Sequence, residues 1–172
     1  TFICMGEEAE VSKLFYDYNT LVGDLQHIVR DMSVAQYKPD VVIGPGRGAY
    51  FPGVMLSHYF EVPFEGFRWQ YRDGNLQDES TLEHIIDKHQ SDKILIVDDI
   101  NDTGTTLQSI DDYIFEWAGN EVVDIQLKYA TLLSKSTSNF EQVNFYAREL
   151  TPDYDPWVVF PYEQWWNFKE IG

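Results

Sequence analysis

Apolar residues at Val11, Leu14, Phe15, Tyr18, Leu21, Val22, Leu25, Ile28, Val29 and Met32 recur at three-and-four spacing. That period marks one buried helix face, so a helix is predicted from Val11 to Met32. The pattern then changes. Val41-Val42-Ile43 and Ile94-Leu95-Ile96-Val97 are short unbroken apolar runs, as expected of strands covered on both faces of a parallel sheet. Between them, Pro52 fits only a first helical turn, which predicts a helix from about Ala49 to Tyr59, followed by a strand around Val62 to Trp69. Residues Gln70 to Ser80 are polar, too poor in apolar residues to pack, and predict a mobile loop. Ser80 and Glu83 have capping-box spacing ahead of a short helix carrying Leu82, Ile85, Ile86 and His89.

After the run at 94–97, Leu107, Ile110, Ile114 and Trp117 predict a helix ending at Gly119 as a left-handed cap. Alternation at Ile125, Leu127, Tyr129, Thr131 and Leu133 predicts a strand, and a further strand is expected over Val143 to Ala147. From Thr151 to Trp166 the chain is rich in Pro, Tyr and Trp without a clean period. Strands alternating with helices predict an α/β fold with a mainly parallel central sheet flanked by helices, in one domain spanning the 172 residues.

Two predicted strands end in unusual loops. Gly44-Pro45-Gly46-Arg47-Gly48-Ala49 superficially fits a dinucleotide fingerprint, with Glu65 further on. A nicotinamide site would leave Asp98, Asp99 and Asp102 without a role, and no Gly-Lys-Ser/Thr follows to make a Walker loop. The second loop runs Asp98-Asp99-Ile100-Asn101-Asp102-Thr103-Gly104-Thr105-Thr106. Adjacent carboxylates suit the two hydroxyls of a ribose, directly or through Mg²⁺. The Thr-Gly-Thr-Thr turn at a helix start suits a phosphate monoester held by backbone N–H and hydroxyl donors. One loop can therefore hold a ribose 5-phosphate.

Charge and composition narrow the partners. The formal net charge of −17 offers no basic patch for nucleic acid. Cys4 is the single cysteine, which points to a reducing, cytoplasmic setting and not to a catalytic thiol. No run reaches the ~18 apolar residues of a membrane span, and no secretory signal pattern stands at the N-terminus. His27, His58, His84 and His89 lack metal-ligand spacing and read as structural or exposed.

Residues Val97 to Thr106 resemble the phosphoribosyl-pyrophosphate signature of type I phosphoribosyltransferases. Gly46-Arg47-Gly48-Ala49 matches the family's pyrophosphate loop, with Gly46 and Ala49 departing from the usual Ser-Arg-Gly-Gly. Tyr71 falls at the family's mobile catalytic loop, with Gln70 in place of a serine. Leu132-Leu133-Ser134-Lys135 is similar to the lysine segment of the 6-oxopurine branch, and Trp157 to Glu163 resembles its C-terminal hood. The hood would comprise about 140–172, and the N-terminal segment is a further candidate for it.

The resemblance implies transfer of a phosphoribosyl group from 5-phosphoribosyl 1-pyrophosphate to N9 of hypoxanthine, guanine or xanthine. Asp98, Asp99, Asp102, Thr103, Gly104, Thr105 and Thr106 would bind the sugar phosphate, Asp102 acting as general base at purine N7. Gly46, Arg47, Gly48 and Ala49 would bind pyrophosphate. Lys135 would meet the 6-oxo group, Trp157 would stack on the base, and the Val158 backbone would read its 2-position. Mg²⁺ would be held by Asp98, Asp99 and Glu163, directly or through water. Trp165 and Trp166 are assigned to core or interface packing, and a homodimer or homotetramer is expected. A non-catalytic regulator that senses the same sugar phosphate is the alternative, and the presence of Asp102 favours the enzyme.

Overall fold

A computed structural model describes residues 12–72, 75–77, 79–90, 92–121, 124–163 and 165–166; for 70–72, 75–77 and 79–81 it describes the backbone path. Five parallel strands form the central sheet in the order β3-β2-β6-β7-β8: β2 (Val41–Pro45), β3 (Phe64–Phe67), β6 (Lys93–Asn101), β7 (Gln126–Lys135) and β8 (Phe145–Leu150). Helices α1 (Tyr18–Val34) and α2 (Tyr50–Phe60) cover one face, where Leu21, Leu25, Ile28, Met32 and Leu56 pack on Val42, Leu95, Val97 and Ala130. Helices α3 (Glu79–His89) and α4 (Thr105–Glu121) cover the other, where Leu82, Ile86, Leu107, Ile110 and Ile114 pack on Val41, Ile43, Ile94 and Ile96. Alternate residues of β2 and β6 thus feed two different cores, and this two-sided burial is why both strands read as unbroken apolar runs.

The first helix starts later than its periodicity implies. Asp17 caps α1, accepting a hydrogen bond from the Thr20 backbone N–H at 2.7 Å. Residues Lys13–Phe15 upstream form a separate strand, β1, paired in parallel with β9 (Trp157–Val159). Three-and-four spacing cannot distinguish a helix from a strand-turn-helix whose apolar residues all point at one core. Val11 lies outside the described residues.

Two short strands, β4 (Gln70–Arg72) and β5 (Asn75–Gln77), pair antiparallel within the stretch for which a mobile loop was expected. In sequence these strands are separated by Asp73-Gly74, a strong hairpin dipeptide. Because α3 begins at Glu79, Ser80 lies within its first turn and is not its N-cap. Helix α4 continues past Gly119, which does not adopt the positive φ of a left-handed cap. The strand expected around 62–69 is confined to Phe64–Phe67, and that expected at 143–147 is displaced to Phe145–Leu150. Register explains the short 136–144 connection: Phe145 pairs with Ala130, halfway along β7, so the return to a parallel strand needs no helix.

The ends of this architecture are joined by a half-buried ionic cluster. Asp24 on α1 accepts hydrogen bonds from Arg148 on β8, at 2.7 Å from Nε and 3.1 Å from Nη2, and from the Tyr16 hydroxyl between β1 and α1. Burial pushes the Tyr16 phenol far above its ordinary titration range, so it serves as a permanent donor. Asp24→Ala would strand both donors. The expected loss is roughly 2 kcal/mol of unfolding free energy, read as a lower urea midpoint, with Asp24→Asn recovering part of it.

Candidate active site

Strand order reverses between β2 and β6, because α2 leads away to β3 while α4 leads the other way to β7. In open α/β sheets the crevice at such a point, beyond the carboxyl ends of the strands, is where ligands bind. Both unusual loops open there. β2 runs to Pro45, and Gly46 follows at φ 95°, ψ −178°, a conformation essentially limited to glycine. Arg47–Ala49 then make a single 3₁₀ turn with Arg47 exposed and Ala49 buried. A Cβ on Gly48 would lie 2.1 Å from Asp99 Oδ2, so only a bare backbone lets this loop rest against the carboxylate.

Asp98 and Asp99 belong to the last part of β6, which extends to Asn101, and not to the loop after it. Their carboxyls are desolvated beside one another, and both pKa values are driven upward. For Asp98 the cause is burial, then repulsion by Asp99. For Asp99 it is burial, opposed by the Tyr162 hydrogen bond, with Glu163 adding repulsion. The Tyr162 hydroxyl donates to Asp99 Oδ2 at 2.8 Å and lies 3.2 Å from the Gly48 carbonyl. Across the ladder from Asp98, the fully buried Thr131 hydroxyl has no hydrogen-bond partner. Two successive, half-buried carboxylates that repel one another, with a third acid nearby, suit a hard divalent cation. Among the described residues no three-ligand cage exists, and Mg²⁺ commonly uses one or two carboxylates while keeping substrate oxygens and water.

Beyond β6, Asp102, Thr103 and Thr105 are exposed, and Thr105 opens α4. The Thr103 and Thr105 hydroxyls are 3.1 Å apart, so hydroxyls and the first N–H groups of α4 face the same space. Gly104, at φ 85°, closes the loop; a Cβ there would meet the Phe140 nitrogen at 2.4 Å. Lys135, at the end of β7, brings its Nζ to 2.8 Å from Asp102 Oδ1 and 2.9 Å from Asp155 Oδ1. The Asp102 hydrogen bond is the main reason the Lys135 pKa is raised, so the amine stays cationic.

The family model "Phosphoribosyl transferase domain" matches residues 18–167. The chain belongs to this phosphoribosyltransferase family. Among solved structures, it is similar to a purine phosphoribosyltransferase from Pyrococcus horikoshii, with 23% identity, a TM-score of 0.63, and 89% of this chain and 95% of that one covered. It is also similar to the Helicobacter pylori xanthine-guanine-hypoxanthine phosphoribosyltransferase, at 17% identity, TM-score 0.65, covering 94% and 99%. A hypothetical protein from Neisseria gonorrhoeae with bound ppGpp gives 17% identity, TM-score 0.59, covering 88% and 89%. A search of curated protein sequences finds no match. The five-stranded parallel sheet with flanking helices is the type I phosphoribosyltransferase architecture.

In this phosphoribosyltransferase domain Tyr162 joins the loop after β2 to Asp99, and Asp102 is paired with Lys135, while Trp157 and Val158 stand on the separate β1–β9 pair. Trp157 is 63% exposed at the start of β9, and Val158 beside it is buried. Ladder bonds to β1 use the Trp157 N–H and the Val159 carbonyl. The N–H and carbonyl of Val158 therefore face the opposite edge of β9, away from β1. Glu163 is exposed and accepts a hydrogen bond from the Phe160 N–H at 3.1 Å. Tyr71 is placed by its backbone in β4, and its side chain lies outside the described residues. Trp165 and Trp166 are each 64% exposed and stack edge to face on one another, so of the core or interface packing expected of them the core role is not taken. Glu65, the acid a dinucleotide site would need, is instead bonded to Lys88 at 2.6 Å and His89 at 2.7 Å.

Three contributors escaped the sequence reading. Tyr162 ties the hood to Asp99, and its place directly before Glu163 in the hood segment was the available signal. Arg68, just past β3, lines a cleft with Gly46, Arg47, Tyr50 and Phe67; a lone arginine after an apolar strand carries no signal. Asn101, buried, donates to Ser134 Oγ at 3.1 Å and the Phe140 carbonyl at 2.9 Å and accepts from Ser138. In the sequence it stands within the Asp98–Thr106 loop with no role of its own assigned.

The raised carboxyls make a pH prediction. A carboxyl that titrates higher in the folded than in the unfolded chain stabilises folding fully below its unfolded pKa and loses that contribution as pH rises through the folded value. Asp98→Asn should therefore raise the thermal midpoint at pH 7 in metal-free buffer, with the gain shrinking toward zero as pH falls to the ordinary carboxylate range near 3.8. An equal gain at both pH values would contradict the desolvated pair.

Proposed function

We propose that this domain transfers the 5-phosphoribosyl group of 5-phosphoribosyl 1-pyrophosphate to N9 of a 6-oxopurine with release of pyrophosphate. The observation that carries the reading is the 2.8 Å contact between Lys135 and Asp102. On a 6-oxopurine, O6 and N7 are neighbours on one edge. A base protonated at N7 offers an acceptor and a donor side by side, and the protein offers a cationic donor beside a carboxylate acceptor. Adenine carries an amino donor at position 6, which would face the Lys135 donors unpaired.

The sugar phosphate lies between the two loops in this reading. The 5-phosphate takes the N-terminus of α4 with Thr103, Thr105 and Thr106, and the ribose hydroxyls take the acids at the end of β6. Arg47, Arg68 and the N–H groups around Gly48 receive the pyrophosphate. Asp98 and Asp99, with Glu163 through water, would hold Mg²⁺, which supplies charge neutralisation to the sugar pyrophosphate. In the transfer, the N9 lone pair forms the bond to the anomeric carbon, the bond from that carbon to the pyrophosphate oxygen breaks, and the N7 proton passes to Asp102. The two arginines and the loop amides meet charge growing on the leaving group. Trp157 covers the base face, and the outward edge of Val158 meets position 2. The hood expected over about 140–172 is narrowed by β8, whose residues 145–150 belong to the central sheet; with β1 and β9 in the hood, the single domain would work as a dimer or tetramer in the cytoplasm.

Incubation with Mg²⁺, the sugar pyrophosphate and each of hypoxanthine, guanine, xanthine and adenine tests the reading. Nucleotide is expected from at least one 6-oxopurine and not from adenine, and turnover should stop in chelator. Asp102→Asn should lower kcat by about 10²- to 10⁴-fold while the KM for the sugar pyrophosphate stays within a few-fold. Absence of product from every base would overturn the function.

A further inference from the structure

We propose that Asp155 is a positioning residue for base recognition, anchoring the Lys135 ammonium at the 6-oxo edge while Asp102 exchanges a proton. The inference rests on the function proposed above. Lys135 Nζ is bonded on two sides, to Asp102 Oδ1 at 2.8 Å and to Asp155 at 2.9 Å from Oδ1 and 3.2 Å from Oδ2. An ammonium has three donors and no acceptor. With two of them committed to carboxylates, one remains for the base.

Asp102 cannot be the sole anchor. Once it takes the N7 proton its carboxylate is neutral, and its hold on Lys135 falls at the moment the 6-oxo contact matters. Asp155 takes no part in that proton transfer and keeps its charge.

Backbone on both sides fixes where Asp155 stands. The preceding turn is closed by the Tyr154 N–H on the Thr151 carbonyl at 2.9 Å. The following residue is the buried Pro156, which restricts Asp155 to extended conformations. Trp157 comes next, at the start of β9. Asp155 therefore links the cation at the end of β7 to the strand bearing the stacking aromatic. Lysine is a flexible stem with a compact head; without this tether its ammonium would follow Asp102 alone. The Lys135 side chain is 19% exposed and that of Asp155 42%; pairs this open to water contribute little to folding, so loss of Asp155 is expected to appear in base binding and not in stability.

Steady-state kinetics of Asp155→Asn tests this. The KM for the 6-oxopurine should rise roughly tenfold, the effect of losing one charge-assisted hydrogen bond. The KM for the sugar pyrophosphate and the thermal midpoint should hardly move. Asp155→Glu should restore most of the base affinity. In a Lys135→Met background, Asp155→Asn should add nothing further to the base KM. An unchanged base KM, a parallel rise in both KM values, or an undiminished Asp155 effect without Lys135 would overturn the proposal. Failure of the unsubstituted protein to make nucleotide would instead overturn the function it rests on.

Discussion

The closest contact on which the site depends is the Asp99 carboxylate lying against the bare backbone of Gly48 under the Tyr162 hydroxyl. Three segments distant in sequence meet there: the loop after β2, the end of β6 and the hood. A Cβ at Gly48 would displace the Asp99 carboxylate, so the approach of the two loops depends on the bare backbone there and on the Tyr162 bond that holds the carboxylate in place. Tyr162 is itself fixed, stacked on Phe160 at 5.5 Å and on Phe51 of α2 at 5.0 Å. Burial and the neighbouring Asp99 push its phenol pKa upward, which keeps the proton on the hydroxyl and the hydrogen bond in place. A sugar pyrophosphate spanning the two loops would therefore meet a crevice of fixed width.

The net charge of −17 is at first sight unsuited to a polyanionic substrate. Screening over about 8 Å at physiological ionic strength removes distant surface acids from the balance. What remains near the crevice is divided by role. Asp98 and Asp99 are raised carboxyls suited to accept a cation, Arg47 and Arg68 line the cleft beyond β2 and β3, and Lys135 is a cation already neutralised by two acids. The two arginines and the Lys135 ammonium are thus kept in separate places, and the buried Asn101 lies next to Asp102 in the chain. Asn101, Ser134, Ser138 and the Phe140 carbonyl satisfy one another, and the Asn139 N–H binds the Thr103 carbonyl at 3.0 Å. This polar set holds the 136–140 segment down on Gly104 and gives the phosphate loop a floor.

Much of this was legible in the sequence where burial acts on both faces of a strand or one face of a helix. The runs 41–43 and 94–97 became neighbouring central strands, and the Asp-Thr-Gly stretch after the second became a helix N-terminus facing the crevice. Boundaries failed where tertiary pairing competed with periodicity. Leu14 sits on the apolar stripe of α1 yet belongs to β1, because Val158 offers it a strand partner. Gly119 did not end α4, because a glycine is only a permitted stop and apolar contacts at Ile114 continue on the same face. The polar stretch at 70–80 was too short of apolar residues to announce strands, yet β4 and β5 pair through their backbones. Contacts made through one hydroxyl or one amide, as by Tyr162 and Asn101, have no periodic signature at all.

The β1–β9 ladder joins Lys13 to Trp157, a pairing that closes almost the whole chain on itself. Contacts of such long sequence separation form only after the intervening chain is in place. The sheet and its phosphate-facing loops can assemble from neighbouring βα units, whereas the strand carrying Trp157 and Val158 waits for both ends. In folding order, the β1–β9 ladder therefore comes after the sheet that carries the loops following β2 and β6. The same asymmetry means that the position of Trp157 and Val158 depends on both distant ends of the chain, whereas the loops after β2 and β6 are carried by neighbouring βα units.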